Sequence, residues 1–190
     1  MNKNLIIVRG GGDVATGTIQ KLNRVGFDVL VLDIEKPTCI RRNVAVAQAL
    51  YDGEIEIEDI KAVRCENLKE IKKAFENFHV AVAVDPDGNY IKELKPLAVV
   101  DGIIAKKNLG TNMDMAPITI GLGPGFEAGV DVDVVIETNR GHDLGRLIFE
   151  GFAQNNTGNP GNINGYTTER ILRASDDGKL HIIRDLGSVV

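Results

Sequence analysis

The apolar run Leu5-Ile6-Ile7-Val8 leads almost directly into Gly10-Gly11-Gly12, and this junction constrains the fold more than any other stretch of the chain. A continuous aliphatic run marks a strand buried on both faces, and glycines directly after it permit a tight exit from that strand. Val14, Thr18, Leu22 and Val25 then fall on one helical stripe with Ile19 beside them. Gly26 supplies a left-handed stop, and a second apolar run follows at residues 29–32. Residues 4–25 therefore predict a strand, a glycine turn and a helix N-terminus that together make a phosphate-sized pocket, the first part of a β-α-β unit.

The alternation continues along the chain. Residues 44–51 predict a short helix stopped by Gly53, and Ile55, Ile57 and Ile60 alternate with acids as a half-exposed strand or turn would. Asn67 is placed to cap a helix with Glu70 in the reciprocal position, and Leu68, Ile71, Phe75 and Phe78 form its apolar stripe. Residues 79–84 predict a buried strand closed by Asp85-Pro86-Asp87-Gly88. Apolar runs at 98–105, 118–122 and 132–137 add strands, the last leading into a helical pattern of Leu144, Leu147, Ile148 and Phe152. Repeated strand-then-helix order defines an α/β class: a Rossmann-like, mostly parallel sheet with flanking helices, plus a short C-terminal β segment. The predicted organisation is a Rossmann-like domain over 1–154 and a Gly/Asn-rich loop or linker over 155–165. A small β segment begins at 166–190, with strands at 169–174 and 179–184.

Several functions are excluded at this level. A chain of 190 residues, 43% hydrophobic, can bury a sizeable core, and a formal net charge of −5 argues against nucleic acid as a partner. No apolar run approaches the ~18–20 residues of a membrane span, so no membrane partner is expected and a cytoplasmic protein is predicted. Cys39 and Cys65 lie far apart without CxxC spacing, so neither a disulfide framework nor a metal site is predicted.

Gly10-x-Gly12-x-x-Ala15 fits the dinucleotide-binding pattern. Asp33 ends the second apolar run at roughly the 20-residue spacing of a ribose-binding acid. Gly10, Gly11 and Gly12 would offer backbone N–H groups to phosphate. The same glycines also serve a plain strand-to-helix turn, and Asp13 favours that reading, since its carboxylate can cap those N–H groups and repel an anion. Asp33 disfavours a 2′-phosphate while Arg41 and Arg42 attract one, so NAD and NADP both stay open.

A second strand exit carries Gly121, Gly123 and Gly125, and with Lys106 it can meet an anionic ligand or form an ordinary glycine loop. Arg140, His142 and Asp143 gather on one loop after a strand, suited to proton transfer or anion clamping, and equally to an exposed helix cap. Cys39, two residues before Arg41 and Arg42, is a candidate for a thiol of lowered pKa able to carry sulfur or selenium, or else a small apolar residue. His142, Asp143 and Cys39 are thus the catalytic candidates. The sequence does not decide whether the protein is an enzyme.

Four long segments carry a more specific signal: VRGGGDVATG (8–17), KPTCIRRNVAVAQALYDG (36–53), GLGPGFEAGVDVDVVIETNRGHDLGR (121–146) and NTGNPGNINGYTTERILRAS (156–175). Together they resemble the YqeB-type accessory proteins of selenium-dependent molybdenum hydroxylases, a likeness spanning nearly the whole chain. The resemblance implies a Rossmann-like maturation factor for a xanthine dehydrogenase or purine hydroxylase, similar in role to the XdhC-type chaperones that hold molybdenum cofactor. Its implied partners are the hydroxylase apoenzyme and a phosphorylated cofactor, of molybdopterin type or an NAD(P)-like nucleotide. It also implies that the family continues past residue 190 with a glycine-containing β module of which 179–190 would be the start. An NAD(P)-dependent oxidoreductase with His142 as acid or base, and a non-catalytic scaffold contacting the hydroxylase, stand as alternatives. Homo-oligomerisation is compatible with all three.

Overall fold

The computed structural model describes every residue except 1, 157, 179, 180, 182, 185–187 and 190. It divides into two compact units, residues 1–156 and 157–190. The first unit is built on a nine-stranded sheet. Its strands are β1 (Asn2–Arg9), β2 (Asp28–Asp33), β3 (Glu54–Ile57), β4 (Ile60–Arg64), β5 (Val80–Val84), β6 (Pro96–Asp101), β7 (Ile118–Leu122), β9 (Val134–Ile136) and β10 (Leu147–Ile148). They lie in the order β10-β9-β7-β6-β1-β2-β5-β4-β3, and only the edge pairs β3–β4 and β9–β10 are antiparallel. In sequence β8 (Glu127–Ala128) lies between β7 and β9, and its partner β11 (Gly151–Phe152) follows β10; the two form a separate two-stranded ribbon. Parallel pairing of β1 with both β2 and β6 puts the chain reversal beside the central strand, the doubly wound Rossmann-like arrangement.

Burial explains the unbroken apolar runs. Alternate residues of β1 enter opposite layers, Ile6 and Val8 one core cluster and Leu5 and Ile7 the other. Helix α1 (Asp13–Arg24) and the short α2 (Ala49–Asp52) cover the first face. Helices α3 (Leu68–Glu76) and α4 (Asn89–Leu94) cover the second. At the α3 N-terminus Asn67 Oδ1 accepts from the Glu70 N–H at 3.1 Å, while Glu70 accepts from the Glu66 N–H at 2.8 Å, the reciprocal cap expected.

Three local expectations of the first unit are corrected. On α1 the buried residues are Ala15, Thr16 and Ile19, whereas Val14 and Val25 are exposed, because the helix packs on the sheet one step around from the apolar stripe. Phe78 lies beyond the end of α3, with φ of 59° and 87% exposure, and contributes nothing to its core stripe. Residues 144–152 form β10, a turn and β11 instead of a helix, since Gly145 and Gly151 adopt positive φ and Leu147 pairs with Ile136.

In the second unit, residues 162–166 make a tight turn. The Gly165 N–H donates to Asn162 Oδ1 at 2.8 Å, and Thr168–Arg170 is a single 3₁₀ turn in place of the strand expected at 169–174. Part of the other expected strand, 179–184, lies outside the described residues; among its described positions His181, Ile183 and Arg184 no strand is assigned.

Candidate functional site

At the carboxyl edge of the sheet the loops after β1, β2, β5 and β6 enclose a cavity of about 430 Å³. That is the size of a small-ligand site, and the crevice beside the reversal point is where open α/β sheets bind ligands. Its walls include Arg9 and Gly12 after β1, Asp33 and Cys39 after β2, Pro86 after β5, and Ile103 and Ile104 after β6.

The three glycines have separate tasks. Gly10 sits at φ +85°, and a Cβ there would lie 2.8 Å from the Ile103 Cα; its N–H already donates to the Leu32 carbonyl at 2.7 Å. At Gly11 a Cβ would meet the Ala47 backbone N at 3.0 Å, and the Gly11 N–H donates to Asp33 Oδ2 at 2.8 Å. Only Gly12 opens onto free space, with nothing within 4 Å. The expectation that all three amides face phosphate is therefore corrected. Packing and internal hydrogen bonds occupy the first two, and the first turn of α1 remains, starting at Gly12, which no side chain caps. Ala15, in the pattern's third small position, lets α1 approach Gly102, whose own Cβ would lie 2.8 Å from that of Ala15.

Asp13 does not cap the helix. Its carboxylate pairs with Arg41 at 2.5 Å, so this loop cation is held at the pocket mouth instead of standing free for a phosphate. Asp33 turns toward the glycine loop, accepting from the Gly11 and Ile34 N–H groups, each at 2.8 Å. Burial pushes its carboxyl above the usual carboxylate range, and those two backbone donors partly offset the effect. The Cys39 thiol is likewise pushed up, first by burial and then by the Asp33 charge, with Arg42 opposing only weakly. This corrects the expectation of a lowered thiol pKa: burial, with Asp33 and Asp13 adding to it, outweighs the opposing charge of Arg42.

Arg9, which lines the cavity, and Asp101, both passed over by pattern reading, form a buried ion pair 3.7 Å apart. Arg9 is 6% exposed and Asp101 1%. Arg9 donates through Nη1 to Thr111 Oγ1 and through Nη2 to the Pro86 and Leu109 carbonyls at 3.2 and 3.4 Å, while Thr111 in turn donates to Asp101 Oδ2. One guanidinium thereby ties together the loops after β5 and β6. The signal was present as opposite charges directly after the apolar runs Leu5–Val8 and 97–100. Ile104, on the same wall, holds a φ of 58°, costly for a β-branched residue.

The other predicted residues lie elsewhere. Cβ positions at Gly121, Gly123 and Gly125 would collide with Phe126, Thr138 and the Lys106–Lys107 backbone at 2.5, 2.5 and 2.6 Å, so these glycines seat neighbouring loops and do not line the cavity. Lys106 is exposed on the loop they support. Arg140, His142 and Asp143 occupy the loop after β9, three strands from β1 and so about 14 Å away at ordinary strand spacing. Arg140 and His142 are exposed there, and Asp143 pairs with Arg146 at 3.5 Å. Glu137 at the base of this loop is buried and accepts from the Asn139 and Gln154 N–H groups at 2.7 and 2.8 Å, which holds the loop closed. Among the described residues no group of three or more His, Cys, Asp or Glu could hold a metal ion, and no helix is long and apolar enough to cross a membrane.

Fold and pocket together define an α/β protein of Rossmann-like build with a ligand-sized cavity at its reversal point. The chain is similar to the protein of Escherichia coli (strain K12) named "Uncharacterized protein YqeB", at 51% identity over 186 residues. The match covers 98% of this chain and 34% of the relative, so the chain spans about a third of the length of the curated relative it matches. No family model and no solved structure matches.

Proposed function

We propose that the cavity binds a phosphate-bearing cofactor, a molybdopterin-type pterin or a nucleotide, for delivery to a molybdenum hydroxylase during its maturation. The observation that carries the binding reading is the pairing of an uncapped helix start at Gly12 with the partly buried Asp33 carboxylate across one cavity. The first-turn N–H groups of α1 donate to a single phosphate, and Asp33 accepts hydrogen bonds from a hydroxyl or amino edge. With Arg41 engaged by Asp13, one of the two cations expected to meet a second phosphate beside Asp33 is already paired, which favours NAD-like over NADP-like nucleotides. The maturation role rests on the resemblance of the four long segments to hydroxylase accessory proteins. His142 lies outside the cavity wall, which removes the residue named as acid or base in the oxidoreductase alternative.

Calorimetry and native mass spectrometry with molybdopterin, NAD, NADP and ATP test the binding. At least one of the first two ligands is expected to bind, with Asp33→Ala weakening it by about tenfold or more. Absence of binding by all four ligands refutes the reading. Recovery of hydroxylase activity by cofactor-loaded protein tests the maturation role separately.

A further inference from the structure

Arg9 ends the central strand against an apolar core, where burying a guanidinium is costly unless its N–H groups are met. Register with Leu32 on one side and Asp101 on the other puts its side chain on the face of Leu5 and Ile7, opposite the face that α1 covers. Of its five N–H donors, Nη1 gives to Thr111 Oγ1 and Nη2 to the Pro86 and Leu109 carbonyls. The Nε–H meets no acceptor among the described residues, although the side chain is only 7% exposed. Nor is that nitrogen sealed in the core: among the described residues Gln48 Oε1 is the one enclosed side-chain N or O atom without a partner. Arg9 lines the ligand cavity, so its unpaired N–H edge opens there.

The surroundings of that edge select its partner. Pro86 and Leu109, whose carbonyls the guanidinium holds, line the cavity with Ile103 and Ile104 and give it apolar walls suited to the faces of a flat ring. Among the described residues lining the cavity Arg9 is the sole cation, against the carboxylates of Asp13, Asp33 and Asp85, and Asp101 lies 3.7 Å from it. With Asp13 paired to Arg41, two acids of the wall and Asp101 still surround one guanidinium. A full anion beside Arg9 would meet more negative than positive charge, whereas a neutral carbonyl oxygen satisfies the N–H without that repulsion.

We propose that Arg9 is a specificity-determining residue that donates to the carbonyl oxygen of an oxo-substituted ring, a pterin or an oxopurine, and discriminates against a ring bearing an amino group there. This deepens the binding reading above and rests on it. Phosphate sits at the α1 start on one face of the sheet, the ring reaches Arg9 on the other, and the ligand crosses the carboxyl edge between them. An amino group would bring a donor to a donor, leaving a buried N–H unpaired, which costs more than a hydrogen bond gains. Thr111, Pro86 and Leu109 hold the guanidinium from its other side, so the free edge does not turn away to suit a different ring.

Inosine and adenosine 5′-monophosphates share phosphate and ribose and differ at one ring edge, oxo against amino, so calorimetry with this pair on the full chain isolates the contact. The inosine nucleotide is expected to bind at least about tenfold more tightly. In the double variant Arg9→Met with Asp101→Leu, which leaves no buried charge of the pair behind, that ratio is expected to fall below about twofold, with circular dichroism confirming the fold. Should the variant not fold, the wild-type ratio still decides. Equal or tighter binding of the adenosine nucleotide by the wild type overturns the inference and leaves the binding reading standing, as does a preference that persists in the double variant. If neither nucleotide binds, molybdopterin, which carries a ring carbonyl, takes their place: a loss of about tenfold or more in the double variant is expected, and equal affinity overturns the inference alone. Refusal of all three ligands overturns it outright, and the binding reading falls too only if NAD, NADP and ATP are refused as well.

Discussion

Replacing Arg9 with Met removes the charge that neutralises Asp101 while keeping most of the side-chain volume. Asp101 is 1% exposed and retains only the Thr111 hydroxyl and the Ile103 N–H, at 3.1 Å, as donors. The Pro86 and Leu109 carbonyls lose a donor at the same time. Breaking one side of a buried pair typically costs about 3–5 kcal/mol, and the two surviving donors place this case near 3 kcal/mol. A domain of this size has on the order of 5–15 kcal/mol in hand, so Arg9→Met is expected to fold with a clearly lower denaturant midpoint. The double variant Arg9→Met with Asp101→Leu removes both charges and is expected to cost only about 1–2 kcal/mol, so the cycle should show a coupling of at least about 2 kcal/mol. Urea unfolding at neutral pH, followed by circular dichroism, measures all four corners. A loss below about 1 kcal/mol for Arg9→Met, or a double variant as unstable as the sum of the singles, would refute the buried-pair account.

Other expectations are more local. Gly125→Ala, at φ +114° and with its Cβ 2.6 Å from the Lys107 N, should destabilise by about 1–3 kcal/mol yet leave cofactor affinity of the folded protein unchanged; weakened binding would return the second glycine turn to the ligand site. Burial pushes the Cys65 thiol up to about 11 from its ordinary 9.0, so the unfolded chain releases that proton first. Stability should therefore fall as pH rises between those values, and Cys65→Ala should flatten that part of the curve; an equal slope in the variant would contradict the assignment. Cys39, held protonated by burial and Asp33, should react with a disulfide reagent near pH 8 more slowly than a free thiol, and more slowly again once the cavity is filled. A rate matching that of a free thiol would argue against this environment.

Much of the architecture was legible in the chain because it depends on local chemistry. The run Leu5 to Val8 buries on both faces, Gly26 takes the left-handed conformation, and Asn67 with Glu70 closes the start of α3; each follows from residue type and spacing alone. The same local logic misplaced residues 144–152, where a helical spacing of apolar residues lost to strand pairing with Ile136 and to two glycines at positive φ. Pairing energy comes from a strand distant in sequence, and a periodicity within one segment carries no record of it.

The candidate site divides along the same line. The sequence by itself determined that a glycine turn and an acid end the first two strands, hence where a cavity opens and that Asp33 lines it. Only the tertiary structure decided that two of the three glycine amides are occupied, that Asp13 holds Arg41, and that Arg9 and Asp101 form a buried pair. It also left Arg140 and His142 exposed on a distant loop. Strand ends are local features that residue types announce. Which ends become neighbours is set by the order of strands in the sheet, and that order, with the contacts it brings, is a property of the packed chain as a whole.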